Sequence, residues 1–348
     1  MTRDECYMNR CLQLAQLGAG YVAPNPMVGA VLLYNDTIIG EGYHQKYGEA
    51  HAEVNCINSV AEEHKQLIPL SKLYVSLEPC AHYGKTGPCA HLIVHYKIPE
   101  VVVACRDSFE KVNGHGIQHL KDAGIKVTEG VLEKEALDLN KRFFTFHEKK
   151  RPYIILKWAQ TKDLFIANTG FEKLAISNEY TNRFTHRLRA EEAAIIVGTN
   201  TARYDNPSLT VRNWPGKNPL RIIIDKQLSL SPNLAFNKQD IPTIILNILR
   251  EEHNGNIHFF KLNEKDSIPD QLMKLLFEKS INSLIVEGGT QLLQSFIDLA
   301  LWDEAMVITN SKLETGTGIS APVLTGGKLF HQFNILSDRI EIFKNLKQ

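Results

Sequence analysis

The chain predicts two consecutive α/β domains. Strand-like apolar runs alternate with helix-like segments along its 348 residues, which implies mostly parallel sheets covered by helices. The length suits about two domains at roughly 100–200 residues each. A charged stretch within 138–152 carries Asn140-Lys141-Arg142 and ends in Glu148-Lys149-Lys150-Arg151-Pro152, as a domain junction does. The predicted domains span 1–146 and 147–348.

In the first domain, residues 4–18 read as a helix with Leu12, Leu14, Ala15 and Leu17 apolar, stopped by Gly18 and Gly20. Residues 27–34 form an apolar strand that turns at Asn35-Asp36 into a second strand over 37–41. Helices follow at 52–63, 90–96 and 116–123, with strands at 72–77, 99–104 and 125–128. In the second domain, strands are expected at 153–158, 193–197, 220–225, 243–248, 283–286 and 304–309. Helices are expected at 178–190, 268–279 and 290–299.

Composition narrows the function. Hydrophobic residues make up 43% and charged residues 22%, as in ordinary globular proteins. Lys plus Arg and Asp plus Glu balance at 39 each, which argues against a nucleic-acid partner needing a basic excess. No run reads as a signal peptide or reaches membrane-spanning length, so a cytoplasmic, membrane-free protein is expected. All six cysteines fall at or before Cys105, too few and too grouped for a disulfide framework. Cys6, Cys11, Cys56 and Cys105 read as buried thiols.

The other two cysteines belong to a metal pattern. His51-Ala52-Glu53 opens a helix, Glu78-Pro79-Cys80 ends a strand, and Pro88-Cys89 opens the next helix. One imidazole and two thiolates hold Zn2+ and leave a fourth position for water, whose pKa the ion lowers. Glu53, adjacent to the ligands but not one of them, is free to move that water's proton. This is the nucleobase-deaminase signature, with a longer gap between the cysteines. A structural zinc site takes four protein ligands and needs no neighbouring Glu.

These motifs, with Pro24-Asn25-Pro26-Met27-Val28-Gly29, Gly42-Tyr43-His44 and the full run from Glu78 to Cys89, resemble the bifunctional deaminase/reductase family of riboflavin biosynthesis. The resemblance continues through His186-Arg187-Leu188-Arg189-Ala190, Val197-Gly198-Thr199, Asp205 to Arg212, Asn218-Pro219-Leu220-Arg221 and Val286-Glu287-Gly288-Gly289, nearly the whole chain. It implies a cytidine-deaminase-like three-layer N-terminal domain and a dihydrofolate-reductase-like C-terminal domain. The first would deaminate a phosphorylated diaminopyrimidinone ribosylamine, and the second would reduce its ribosyl chain to ribityl with NADPH. It also implies a homodimer or higher homo-oligomer.

Site residues follow from the same matches. On the deaminase side, Lys85 is a candidate for the substrate phosphate or a loop residue, and His82 would stack on or hydrogen-bond to the ring. The Asn25 amide either reads the ring edge or supports the turn between two prolines. His44 contacts the substrate or backs a group that does. On the reductase side, Ala159, Thr201, Asp205 and the loop with Gly289, Thr290 and Gln291 fall with the cofactor. Arg189, Leu209, Arg212 and Glu287 fall with the substrate. The Glu287-Gly288-Gly289-Thr290 turn alone is an ordinary β–α turn or a phosphate approach.

Two departures from the family pattern stand out. Leu164 replaces a glycine in Thr161-Lys162-Asp163-Leu164-Phe165-Ile166-Ala167, and Ser108-Phe109-Glu110 replaces a Pro-Asn-Pro stretch after Asp107. A leucine strains that turn if the position needs positive φ, so an impaired reductase is one alternative. A tRNA-type deaminase with a C-terminal binding module is another, opposed by the neutral charge and the Glu191-Glu192 and Glu251-Glu252 pairs. A zinc scaffold without catalysis is a third, opposed by Glu53.

Overall fold

Thr2 starts the first helix, α1 (Arg3–Gln16). Its Oγ1 accepts from the Glu5 N–H at 3.3 Å, and the Glu5 carboxylate accepts from the Thr2 N–H at 2.7 Å. Met8, Cys11, Leu12, Leu14 and Ala15 form its buried stripe. Cys6 corrects an expectation: it lies off that stripe and is exposed, whereas Cys11, Cys56 and Cys105 are buried. The computed structural model describes all residues except 82–86, 109–111, 171–173, 239 and 347–348. The chain divides into two units, Met1–Lys150 and Arg151–Gln348.

The first unit is built on β1 (Gly29–Tyr34), β2 (Thr37–Tyr43), β3 (Lys72–Val75), β4 (Glu100–Val103) and β5 (Lys126–Glu129), in the order β2-β1-β3-β4-β5. β3, β4 and β5 are parallel, but β1 is antiparallel to both neighbours, so this sheet is mixed rather than mostly parallel. Alternate strand residues point to opposite faces and fill two cores. Ala30, Leu32, Leu73, Val75, Val101 and Val103 face one side, while Val31, Leu33, Tyr74 and Val102 face the other with Met8, Leu12, Phe143 and Phe144.

Helices α2 (Ala52–Asn58), α3 (Cys89–His95), α4 (His115–Asp122), α5 (Glu133–Leu139) and α6 (Lys141–Lys149) complete the layers. α2 is shorter than expected because the Ser59 hydroxyl donates to the Cys56 carbonyl and accepts from the Glu41 N–H. A 3₁₀ helix over Glu62–Leu70 follows it. The charged 138–152 stretch is largely helical: Phe143, Phe144 and Phe146 are buried in α6 beneath its charged residues. α6 runs through position 146/147 without a break.

The second unit contains β6 (Tyr153–Thr161), β7 (Phe165–Ala167), β8 (Ala194–Val197), β9 (Leu220–Ile224), β10 (Thr243–Asn247), β11 (Glu252–Asn254) and β12 (Ile257–Lys261). β13 (Ser283–Glu287), β14 (Glu304–Asn310), β15 (Ile319–Ser320), β16 (Gly327–Ile335) and β17 (Asp338–Asn345) follow. Ten of them form one sheet in the order β11-β12-β10-β9-β8-β13-β6-β14-β17-β16. From β12 to β14 every pairing is parallel, as the alternating pattern requires.

Helices α7 (Glu179–Glu191), α8 (Thr199–Asp205), α9 (Ile268–Glu278) and α10 (Thr290–Asp298) connect these strands. One face of the sheet buries Ile154, Leu156, Ile196 and Val286 against Leu272, Leu276 and Phe296. The other buries Ile155, Ile195, Val197 and Ile285 with Leu188. The sequence reading missed β7, β11, β12, β15, β16, β17 and α8; all but the half-buried β17 are short or largely exposed. Among the described residues no helix is long and apolar enough to cross a membrane.

Candidate functional site

The metal pattern converges because three chain turns meet beside the first sheet. His51 is the N-cap residue of α2, Cys80 lies in the loop after β3, and Cys89 is the first residue of α3. A Cβ on Gly42 would stand 2.2 Å from the Cys56 nitrogen, so only glycine lets β2 and α2 approach this closely.

His51 Nδ1 lies 3.6 Å from Cys80 Sγ and 3.4 Å from Cys89 Sγ. The three ligand atoms all fall within 4.8 Å of one another. Tetrahedral zinc with ordinary Zn–N and Zn–S bonds places nitrogen and sulfur about 3.6 Å apart, so the donor set fits the ion in both type and spacing. The Cys89 N–H donates to Cys80 Sγ at 3.3 Å, as suits a thiolate at a helix start. A hydrogen bond from the Cys89 thiol, then one from His51, pull the Cys80 thiol well down. The same sulfur contact, with burial, pushes Cys89 up.

Glu53 sits in the first turn of α2 and is 3% exposed. Burial, then the neighbouring Cys80 charge, push its carboxyl up to about 7.

His44 has both ring nitrogens engaged. Nδ1 lies 3.0 Å from the Ala50 carbonyl and must carry the proton, so Nε2 accepts from the Asn25 amide at 3.3 Å. His44 is buried and packs edge-on against His51, with ring centroids 5.3 Å apart. Its ring thus bridges Asn25 and the Ala50 carbonyl. His82 and Lys85 lie outside the described residues.

Sequence reasoning missed Asn140, between α5 and α6. Its side chain accepts from the Met27 N–H at 2.8 Å and donates to the Met27 carbonyl at 2.9 Å, fixing the loop that carries Asn25. No local motif marks it, because its partner is 113 positions away.

Glu251, His253 and His258 form a second group with close ligand atoms. The two rings are stacked 3.9 Å apart and within 10° of parallel. Imidazole lone pairs lie in the ring planes, so one ion cannot sit in both planes. Glu251 is already engaged by His258 Nε2 at 2.6 Å and by the Lys261 N–H.

In the second unit, Glu287 with the turn over 289–291 lies at the carboxyl end of β13, and Thr201 lies just past that of β8, where α/β sheets bind ligands. Glu287 ends β13 and is buried. Arg189 on α7 grips it from two nitrogens, at 3.1 and 2.6 Å. Lys157 on β6 is the direct cross-strand neighbour of Glu287. Sequence reasoning passed over Lys157, although a lysine in an apolar strand run was the available signal. Burial pushes the Glu287 carboxyl up, but Arg189 and Lys157 overcome this and hold it at about 2. Burial lowers Lys157, with Glu287 partly opposing it.

His186 was also missed as a site residue. Burial, then Arg189 and Arg212, lower it to about 4, and its Nδ1 accepts from the Arg212 N–H at 3.2 Å. It is therefore neutral near pH 7, and Arg189 and Lys157 both neighbour the Glu287 carboxylate. Arg212 is exposed, and one of its guanidinium nitrogens donates to Thr210 Oγ1.

Leu209 is 2% exposed and its side chain belongs to the core. Among the residues expected near the cofactor, Thr201 Oγ1 accepts from the Gly289 N–H at 2.9 Å, joining α8 to the start of α10. Thr290 donates to the Ser320 carbonyl, and Gln291 is exposed. Ala159 lies on β6 two residues past Lys157, and Asp205 ends α8.

Comparison with known proteins adds independent evidence. Residues 152–345 match the RibD C-terminal domain family. Residues 1–105 match the cytidine and deoxycytidylate deaminase zinc-binding region. The riboflavin biosynthesis protein RibD of Aquifex aeolicus is 40% identical over 328 residues, covering 91% of this chain and 89% of that protein. RibD of Bacillus amyloliquefaciens is 37% identical, covering 94% and 86%. A crystal structure from Thermotoga maritima, described as a diaminohydroxyphosphoribosylaminopyrimidine deaminase/5-amino-6-(5-phosphoribosylamino)uracil reductase, superposes with a TM-score of 0.90. It is 32% identical and covers 99% of each chain.

Proposed function

This chain belongs to the RibD family of riboflavin biosynthesis proteins, a bifunctional deaminase/reductase, and from that premise we propose how each unit works. The first unit hydrolyses the amino group of a phosphorylated diaminopyrimidinone ribosylamine. Water adds to the ring carbon, the carbon–nitrogen bond breaks and ammonia leaves. The second unit takes hydride from NADPH onto the ribosyl carbon as its bond to the ring oxygen opens, and that oxygen takes a proton, giving ribityl.

The observation that carries the deaminase reading is the buried Glu53 beside a nitrogen–sulfur donor set spaced for zinc. His51, Cys80 and Cys89 would hold the ion, which when bound would activate water as the nucleophile. Glu53 takes the water's proton and gives it to the ring nitrogen, then takes the proton of the added hydroxyl and gives it to the departing amine as the carbonyl forms. Asn25, held by His44, orients the ring edge. His82 and Lys85 contact the ring and phosphate.

In the reductase, the Lys157–Arg189–Glu287 cluster supports the reading. Arg189, Arg212 and Glu287 orient the phosphorylated substrate with the Leu209 backbone. Ala159, Thr201, Asp205, Gly289, Thr290 and Gln291 line the NADPH side. The six free cysteines favour a reducing, cytoplasmic setting. The zero formal net charge favours a small-molecule partner over nucleic acid. We expect a homo-oligomer, which sedimentation of the purified chain reads directly.

The deciding experiment is a coupled assay on wild type and Glu53→Gln. Ammonia release should fall by roughly 10²–10⁴ in the variant, with zinc retained. NADPH oxidation should persist when the deaminated intermediate is supplied. Zinc without ammonia release from wild type would overturn the substrate assignment.

A further inference from the structure

We propose that Glu78 is a positioning residue for the zinc-binding loop: its buried carboxylate gathers the backbone N–H groups of Asp107, Gly114, Gly116 and Ile117 and thereby fixes where Cys80 stands. The inference rests on the zinc reading of His51, Cys80 and Cys89.

Glu78 is 3% exposed. Its Oε2 accepts from the N–H groups of Asp107 and Gly114, at 3.2 and 2.9 Å. Its Oε1 accepts from Gly116 and Ile117, at 3.0 and 3.2 Å. The Glu78 N–H donates to the Cys105 carbonyl at 3.0 Å. Four peptide dipoles converge on one carboxylate, and such charge-assisted bonds are roughly twice as strong as neutral ones. These four N–H groups form a nest that offsets the charge of the buried carboxylate.

The latch joins the exits of two adjacent parallel strands. Glu78 follows β3, and Asp107 follows β4. From Glu78 the path to the ligand is short and stiff. Pro79 fixes its own φ and leads straight into Cys80. The Pro79 carbonyl is wedged against Gly116, where an added Cβ would stand 1.9 Å from the oxygen. Cys80 is then tied onward, its carbonyl accepting from the Ala90 N–H at 3.1 Å and its sulfur from the Cys89 N–H at 3.3 Å. A shift at Glu78 or Gly116 therefore reaches the Cys80 sulfur. Glutamine at position 78 keeps one acceptor oxygen and turns an NH₂ group toward backbone donors, so the nest cannot close around it.

The test uses the full chain, with cobalt(II) replacing zinc as a reporter of tetrahedral geometry. Wild type, Glu78→Gln and Glu78→Asp are compared by cobalt d–d absorption and by zinc competition against a chelator. Reductase turnover and circular dichroism serve as controls for folding. Glu78→Gln should bind zinc roughly 10–100-fold more weakly and lose tetrahedral band intensity while the controls stay native. Glu78→Asp, which keeps the charge, should be intermediate. A native-like Glu78→Gln with wild-type zinc affinity and cobalt spectrum overturns the proposal. Where Glu78→Gln does not fold, the same two readouts on Glu78→Asp decide: wild-type values overturn the proposal, and weaker zinc with an altered spectrum supports it. A wild type that gives no tetrahedral cobalt spectrum refutes the zinc reading itself, a separate failure.

Discussion

Arg189 and Glu287, 98 positions apart, meet in a two-point ion pair of 3.1 and 2.6 Å, with side chains only 13% and 11% exposed. Removing one partner of such a pair strands the other's charge, which costs about 3–5 kcal/mol. Arg189→Met should therefore lower second-unit stability by about that amount and abolish NADPH oxidation, with ammonia release kept. Denaturant unfolding and the two turnover assays measure these effects. Arg189→Lys keeps the charge but not the fork, and should rescue stability more than activity.

The same cluster sets an acid limit. Glu287 is held at about 2, below its ordinary value of 4.5, so its stabilisation is present above that value. It is lost as pH falls from about 4.5 toward 2. His186 is lowered from 6.5 to about 4, so the unfolded chain takes up its proton first. Its contribution is complete above 6.5 and disappears as pH falls from there to about 4. Melting temperature of the second unit should drop through both windows. His186→Gln should flatten the upper window alone, and an unchanged slope between pH 6.5 and 4 would refute the assignment.

Metal removal should separate the two activities. The nitrogen–sulfur donors all belong to the first unit, and the Lys157–Arg189–Glu287 cluster contains none of them. Dialysis against a strong chelator should abolish ammonia release and leave NADPH oxidation with the deaminated intermediate unchanged. Zinc should restore the first activity at one ion per chain. A matching fall in NADPH oxidation would mean the reductase also depends on the metal.

Much of the site was legible in the sequence because its chemistry is locally encoded. His51, Glu53, Cys80 and Cys89 lie in short motifs at helix starts and strand ends, where side-chain type and backbone position together announce a metal. Lys157, Asn140 and Glu78 act through partners far along the chain. Lys157 reads as one charge in a strand until β13 brings Glu287 beside it. Asn140 lies in a stretch whose charges suggest a linker, although Phe143, Phe144 and Phe146 make α6 amphipathic. The fold divides the same way: buried strands such as β8 and β13 stand out as apolar runs, whereas the exposed β16 is defined by its pairing with β17.

Leu164, where the family pattern has glycine, adopts φ +66° and is 56% exposed. The position is left-handed, and the turn keeps its shape with leucine in it. Its neighbours hold it there. The Leu164 N–H donates to the Thr161 carbonyl at 3.0 Å, and the Leu164 carbonyl accepts from Ala321 at 2.8 Å. The Asp163 carboxylate accepts from Thr315 and Gly316. A non-glycine residue there carries roughly 1–2 kcal/mol of strain, and glycine gives back part of that gain as chain entropy. Leu164→Gly should thus stabilise the second unit by about 0.5–1 kcal/mol, raising its melting temperature by about 1–4 °C. NADPH oxidation should be the same in both proteins, because the strain is offset by the turn's own hydrogen bonds. A wild type that turns over slowly and recovers fully in Leu164→Gly would instead make this substitution the cause of an impaired reductase.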